Sequence, residues 1–498
     1  MLILLKKQMM KNFNILCKFD GPFLIGKQLI IITFFFYTML NAQTKYPEIN
    51  KQIKIGNFTK AEKLINDVIA KDKLNENERY NLNFQIEKMH RIKLDFDRTT
   101  DDIKFALKKY YPALNSKMIE RWEADKSLEM KIIDGKKLFF HNAVPNLFRI
   151  NMHAKKRKEE VDGVTVDPLK IFLSEHIPGW ISESLKSGEI YDNPVKMKLT
   201  YTLTVDSDAV PSGETIRCWL PYPREDSKRQ KDIKLLSVNS DEYIISDNSH
   251  PQRTLYMEKT AQKGKPTVFQ IQYELTDYSE FHNIDPQKIK PYNTSTKLFK
   301  EFTSERPPHI VFTNQIKELS KTIIGNTKSP YEKIKKIYTW INKNIPWASA
   351  REYSTLNNIP AYCLDNKHGD CGIVTLTFMT LARYNGIPCR WQSGWMLHPG
   401  QVNLHDWCEV YLNGYGWVPL DQSFGIQNSD DPKVEYFYIG GIDPYRLIIN
   451  DDFGKPLFPA KIYPRSETND FQRGEVEWRG GNLYFNKWDY HMDVQYLK

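Results

Sequence analysis

An α+β fold is what the sequence predicts, and three observations carry the prediction. Apolar residues recur at helical spacing after residue 43. They switch to strict alternation between 195 and about 280. Beyond about 305 a capped helix is followed by a second helical run and then a strand–turn–strand pattern. At 498 residues the chain is too long for one ordinary core and long enough for two or three domains. Its 41% hydrophobic and 13% aromatic content exclude a disordered chain.

Residues 1–42 read as an export leader. Lys6, Lys7, Lys11, Lys18 and Lys27 precede the apolar run Leu29 to Leu40, and Ala42 supplies a small residue for cleavage before Gln43. That run is 12 residues, short for a membrane span and suited to a signal segment. The alternative is an uncleaved N-terminal anchor. The basic part is long, which leaves Met9, Met10 or a later residue as the start of translation. Cys17 precedes the apolar run and so is not placed like a lipoprotein cysteine. The leader holds five lysines against Asp20, so of the net charge of +9 the rest of the chain carries about +5. That mild balance, with no basic tract interleaved with aromatics, points away from nucleic acid. After leader removal no membrane span is expected, and the compartment is periplasmic or extracellular.

Residues 43–130 are expected to be helical. The segment from Gly56 to Ala70 places Phe58, Ala61, Leu64, Ile65 and Val68 on one stripe. It resembles half of a tetratricopeptide unit, but no second copy follows at a fixed period. In 131–194 a short hairpin and a linker are expected. Leu128 to Ile133 and Lys136 to Phe140 flank Asp134-Gly135, a dipeptide suited to a tight turn. The charged stretch 153–165 reads as a solvated loop.

Residues 195–290 are expected to form a β-sandwich-like domain. Val195, Met197, Leu199, Tyr201, Leu203 and Val205 alternate with polar residues, Ile216, Cys218 and Leu220 repeat the pattern, and Phe269 to Leu275 repeat it again. Residues 305–465 form the next region. Ser329-Pro330-Tyr331-Glu332 is a capping-box signal with proline at the first helical position. Ile334, Ile337, Tyr338, Ile341 and Ile345 then make a core stripe ended by Pro346. The residues from 466 to 498 read as a C-terminal extension whose aromatics seal the edge of the core.

The chemistry is expected from Gly369-Asp370-Cys371-Gly372, from His405-Asp406-Trp407 34 residues on, and from Asp421 16 further. Cys371 opens the helical run to Gly386, where the dipole and free backbone N–H groups favour a thiolate and can donate to an oxyanion. Pro388 to Gly394 reads as a strand entering the core, followed by a loop over 396–403. In the next strand His405, Trp407 and Glu409 share one face, while Asp406, Cys408 and Val410 take the other. His405 at the strand start could reach the cysteine sulfur, with Trp407 packing beside it. After the Asn413-Gly414 turn a returning strand ends on Asp421, placed to accept the ring N–H of His405. A cysteine nucleophile, a histidine base and an aspartate that orients it are the parts of an acyl-transfer site.

These pieces, GDCG, GIPCRWQSG and HDWCEVYLNGYGWVPLD in that order, resemble the transglutaminase-like core, a relative of the papain fold, over 330–425. The resemblance implies Cys371 as nucleophile, His405 as general base and Asp421 as its orienting partner. It implies a nucleophile helix on an antiparallel sheet, no metal and no cofactor, and a peptide or protein substrate. The family includes protein crosslinkers, peptidases, amidases and inactive members. Hydrolysis in the manner of a peptidase or amidase is the preferred expectation. Glutamine γ-glutamyl transfer and a non-catalytic scaffold are the alternatives.

Other residues carry weaker expectations. Trp347 and Tyr353 are candidates to stabilise an oxyanion. His368 reads as an exposed loop histidine, with tuning of the thiolate from beside Asp370 as the alternative. His398, Cys389 and Cys408 lack metal-ligand spacing. Arg446 could meet a substrate carboxylate, with a salt link to Asp443 as the alternative. Cys218, Cys363, Cys371, Cys389 and Cys408 remain after the leader. In an oxidising compartment this odd number leaves at least one thiol free. The other four could form two bridges, or stay reduced as packing residues.

Overall fold

The computed structural model describes residues 45–498, so the leader reading and Cys17 lie outside the described residues. Two compact units are present, one ending at Asn83 and the other beginning at Phe84. The first holds α1 (Pro47–Lys54), α2 (Phe58–Lys71) and the start of α3 (Glu76–Asp95). Phe58, Ala61 and Ile65 of the expected stripe are buried on α2.

In the second unit α3 continues into α4 (Thr100–Leu107) and α5 (Ser116–Ala124). The Thr99 side chain and Asp102 cap α4 reciprocally. Strands β1 (Met130–Ile133) and β2 (Lys136–Phe139) form the expected hairpin. Its turn residues Asp134 and Gly135 have φ of 48° and 79°, the positive pair that a tight two-residue hairpin requires. Helices α6 (Ala143–Ile150), α7 (Met152–Asp162) and α8 (Pro168–Ser187) follow.

The α7 helix corrects the loop expected at 153–165. The Asn151 side chain caps it through the Ala154 N–H, and Gly163 with φ 84° ends it. Ala154 is the sole buried residue of this helix, so no apolar period marks it. Its charges pair along the helix instead, Arg157 with Glu160 at 3.1 Å and Lys158 with Asp162 at 2.5 Å.

Two sheets share one apolar interior. The first runs β12 (Gly441–Ile442), β8 (Thr267–Phe281), β3 (Tyr191–Val205), β16 (Trp488–Leu497), with β5 (Gln230–Val238) also on β8. The second runs β15 (Gly481–Leu483), β14 (Glu475–Trp478), β4 (Thr215–Pro221), β7 (Thr254–Thr260), β6 (Ile244–Ile245). Met197, Leu199, Tyr201 and Leu203 of β3 meet Cys218 and Leu220 of β4 in that interior. Strands β14, β15 and β16 come from 466–498, so this segment is built into both sheets, which differs from the expected extension. Trp488 is buried in the shared interior and pairs with Val205.

The remaining helices are α9 (Lys297–Phe302), α10 (Asn314–Ile324), α11 (Pro330–Asn344), α12 (Ile359–Asn366), α13 (Cys371–Tyr384) and the short α14 (Pro432–Glu435). Ser329 caps α11 through the Glu332 N–H at 3.4 Å. A third, antiparallel sheet runs β11 (Gly416–Leu420), β10 (Gln401–Leu412), β9 (Cys389–His398), β13 (Arg446–Asn450). The loop expected at 396–403 is only the turn Pro399-Gly400, because the pairing of β9 with β10 continues to His398 and Gln401. Helix α13 packs on this sheet, with Leu376, Phe378 and Leu381 against Cys408, Val410 and Leu412. Every residue from Gly372 to Arg383 is buried. The helix therefore has no solvent-facing side, and its three threonines and Arg383 hydrogen-bond to backbone carbonyls.

Cys218, Cys363, Cys371, Cys389 and Cys408 are all free thiols. Of the two readings offered for the four buried ones, the structure has the reduced one. No described helix is long and apolar enough to cross a membrane.

Candidate active site

Asp370 sets the start of α13. Its Oδ1 accepts the Ile373 N–H at 3.1 Å, the bond of an N-cap, and the Tyr353 hydroxyl at 2.6 Å. Cys371 is thus the first helical residue, where backbone N–H groups have no partner within the helix. Gly372 is required by what presses on it. A Cβ there would overlap the Tyr353 hydroxyl and lie 2.7 Å from Asp406 Oδ2. Gly372→Ala is expected to cost about 1–3 kcal/mol through overpacking. Urea unfolding monitored by circular dichroism measures it.

The three residues predicted for catalysis fall into two contact groups. Cys371 Sγ donates to Asp406 Oδ2 at 3.3 Å. The other oxygen of Asp406 accepts Gln472 Nε2 at 2.8 Å, and the same nitrogen donates to the His405 carbonyl at 2.8 Å. Gln472 therefore clamps β10 at residues 405 and 406. His405 Nε2 donates to Asp421 Oδ2 at 2.8 Å, the tautomer being the one its carboxylate partner requires. Among the described residues no hydrogen bond joins Cys371 to His405.

Strand alternation is the reason. Asp406 lies on the face whose Cys408 and Val410 pack under α13, whereas His405 lies on the face of Trp407, whose ring is 5.9 Å away. Asp421 at the end of β11 reaches His405 on that second face. Nδ1 of His405 takes no part in the Asp421 bond and is the nitrogen left to exchange a proton.

A buried ionic network backs the histidine. Arg446 Nη1 donates to Asp421 Oδ2 at 2.7 Å, and its Nε donates to Asp443 Oδ2 at 3.0 Å. Tyr438 also donates to Asp443 Oδ2 at 3.0 Å, and His398 Nε2 sits 3.0 Å from its other oxygen. Asp421 Oδ1 accepts the N–H groups of Ser423 and Phe424 at 3.0 and 3.2 Å. Arg446 is wholly buried, its guanidinium 3.6 Å from the Phe424 ring centre. The expected contact of Arg446 with a substrate carboxylate is thus corrected: its partners are Asp443, the alternative offered, and Asp421.

Burial alone would raise the Asp421 carboxyl, but His405 and Arg446 outweigh it and hold it below its ordinary value. Burial lowers the His405 pKa against the pull of Asp421, so the resting imidazole is neutral and able to take a proton. On the other face the direction reverses. Burial, then the carboxylates of Asp406 and Asp370, push the Cys371 thiol well up. Burial and Asp370 push Asp406 well up too, and Asp370 itself rises to about 6, chiefly through burial. Both shifts disfavour charge on this face, and Cys371 rests as the thiol donor of the bond to Asp406 rather than as a thiolate.

A cavity of about 180 Å³ opens on Cys371 and is also lined by Trp347, Tyr353, Asp370, Asp406 and Asp470. Both aromatics singled out for an oxyanion therefore border it; Trp347 is 47% exposed at its rim, and Tyr353 stands over the start of α13. His368 corrects an expectation. It is 1% exposed, edge-on to Tyr362 at 5.8 Å, and burial lowers its pKa to about 4. Sequence reasoning missed Asp406 and Gln472. For Asp406 a signal existed, a carboxylate on the strand face that covers the helix. Gln472, 66 residues away, had none.

Residues 317–422 match the family model of the transglutaminase-like superfamily. An uncharacterised protein of Haemophilus influenzae is 26% identical over 264 residues, which are 45% of this chain and 67% of that one. Among solved structures, a candidate cysteine protease from Cytophaga hutchinsonii aligns with a TM-score of 0.43 at 17% identity, over 62% of this chain and 92% of the other. The periplasmic domain of TgpA from Pseudomonas aeruginosa aligns with a TM-score of 0.25 at 14% identity, over 48% and 90%. The matched span contains Cys371, His405 and Asp421 and the helix-on-sheet core that carries them, and this region of the chain is a transglutaminase-like domain.

Proposed function

We propose that this protein is an exported thiol hydrolase of amide bonds in peptides or proteins, with Cys371 as nucleophile, His405 as general base and Asp421 as the residue that orients His405. The observation that carries the reading is the His405–Asp421 pair at 2.8 Å, which falls in the same family-matched span as a cavity-lining cysteine at a helix start. Nδ1 of His405 removes the thiol proton as Sγ bonds to the carbonyl carbon. The imidazolium returns that proton to the leaving amine as the C–N bond breaks, which leaves a thioester. Water, deprotonated by His405, then adds to the thioester carbon. The C–S bond breaks, releasing a carboxylic acid and restoring the thiol. The N–H groups at the start of α13, with Tyr353 and Trp347 nearby, are the groups available to the oxyanion. Export rests on the leader reading of residues 1–42.

To enter this cycle Sγ leaves Asp406 for His405. Asp406 therefore acts as a brake on the thiolate, and Asp406→Asn is expected to move the alkylation profile of Cys371 to lower pH. Iodoacetamide labelling rates between pH 5 and 9, followed by mass spectrometry, measure the shift.

A non-catalytic scaffold is the second reading, favoured by the bond from Sγ to Asp406 in place of one to His405. Labelling at pH 6 separates the two. Hydrolase function predicts that, once Asp406→Asn has released the sulfur, alkylation of Cys371 is fast and slows at least tenfold when His405→Ala is added. A rate equal to that of an ordinary thiol of pKa about 8.5, unchanged in His405→Ala, would leave the scaffold. Incubation with a glutamine peptide and an amine distinguishes hydrolysis from crosslinking, by ammonia release without isopeptide product.

A further inference from the structure

The cavity on Cys371 holds five carboxylates, Glu352, Asp370, Asp406, Glu467 and Asp470, among its lining residues. Four of them are engaged. Glu352 takes Arg473 at 2.9 Å, Asp370 takes Tyr353 and the Ile373 N–H, and Asp406 takes Gln472 and Cys371. Glu467 takes the N–H groups of Gln472 and Arg473 at 2.7 and 3.0 Å.

Asp470 differs. Its residue is 5% exposed, and its Oδ1 is buried without a protein partner. The nearby guanidiniums are committed elsewhere. Arg465 donates to the backbone carbonyl of Asp470 and to Gln252, while Arg473 pairs with Glu352 and Glu467. Beside Asp470, Asn469 is 3% exposed and its Nδ2 also lacks a partner, as does Oγ of Ser354 across the same cavity.

A buried carboxylate oxygen without a donor is costly until a cation or donor arrives. Here an unfilled acceptor and an unfilled amide donor stand on consecutive residues. One common group presents the complement over so short a span: the first residue of a peptide, with an ammonium and a carbonyl separated by one carbon. A lysine side chain offers the ammonium but no carbonyl beside it. The space equals that of about six waters, enough for one or two small residues. Burial and the carboxylates of Asp406, Glu467 and Asp370 hold the Asp470 pKa well up, and an entering ammonium supplies the missing countercharge.

We propose that this cavity is a subsite for the free amino terminus of a peptide, its ammonium on Asp470 and its first carbonyl on Asn469. The inference rests on the hydrolase reading and narrows it to chains attacked near their amino end.

Calorimetric titration of the full chain carrying Cys371→Ala tests it without requiring turnover. Alanyl-alanine amide is expected to bind at least tenfold more tightly than its N-acetyl form and than Nα-acetyl-lysine amide. Asp470→Asn in the same background is expected to lose at least tenfold in affinity for the free dipeptide amide, with Asp470→Glu between the two. Circular dichroism confirms that the variants fold; should Asp470→Asn fail to fold, the three-ligand comparison stands alone. Equal binding of the acetylated dipeptide, binding of the lysine derivative as tight as the free amino terminus, no binding of any of the three at 50 mM as a rough ceiling, or unaltered binding by a folded Asp470→Asn overturns the proposal. Selective binding together with a wild-type enzyme inert toward the same peptides would count against the hydrolase reading alone.

Discussion

Cys371→Ala is expected to abolish amide hydrolysis, lowering kcat/KM by roughly 10⁴-fold or more, since Cys371 is the one thiol among the residues that line the cavity. His405→Ala is expected to be nearly as damaging, and combining the two should add little, because residues that act as one unit are not additive. Asp421→Asn should retain the fold yet lose roughly 10²–10⁴-fold, by presenting His405 with a donor where it needs an acceptor. Rates on a peptide amide, with circular dichroism to verify folding, measure all three. An active Cys371→Ala chain would remove the cysteine from the reaction and the proposed mechanism with it.

Arg446→Met is expected to have the largest effect on stability. Arg446 is the fully buried cation shared by Asp421 and Asp443, at 2.7 and 3.0 Å. Removing it leaves two buried carboxylates next to each other with a large part of their compensation gone, a loss of roughly 3–5 kcal/mol. The sign with pH follows from the lowered Asp421 and Asp443 pKa values. Their contribution is present above the ordinary carboxylate range, and it is lost as pH falls through that range toward the folded values. The deficit of Arg446→Met should therefore shrink below about pH 4. Adding Asp443→Asn to Arg446→Met should restore part of the loss, because one uncompensated charge is then gone. Guanidinium unfolding at pH 7 and pH 3.5 gives both answers.

Much of the fold was legible because local rules act locally. The alternation of β3 placed Met197 through Val205 in the interior, where they lie. Asp134-Gly135 announced its hairpin through a backbone conformation few residues adopt. Where burial was one-sided, the pattern read correctly. It misread α7, whose charges pair with one another around a single buried alanine. It also misread 466–498, because a strand such as β16 is defined by a partner, β3, nearly 300 residues earlier.

For the site the division is sharper. The order of cysteine, histidine and aspartate, and the strand–turn–strand spacing that brings Asp421 to His405, are properties of the chain, since turn length and a two-residue period settle which side chains face each other across neighbouring strands. The partner of the sulfur is not. Asp406 sits on Cys371 because α13 crosses the sheet at the strand face opposite His405, and Gln472, Arg446 and Asp470 arrive from segments with no local tie to that crossing. Burial and charge act through space, so the rise of the Cys371 thiol and the hold on Asp421 exist only once the distant carboxylates and Arg446 are packed around them.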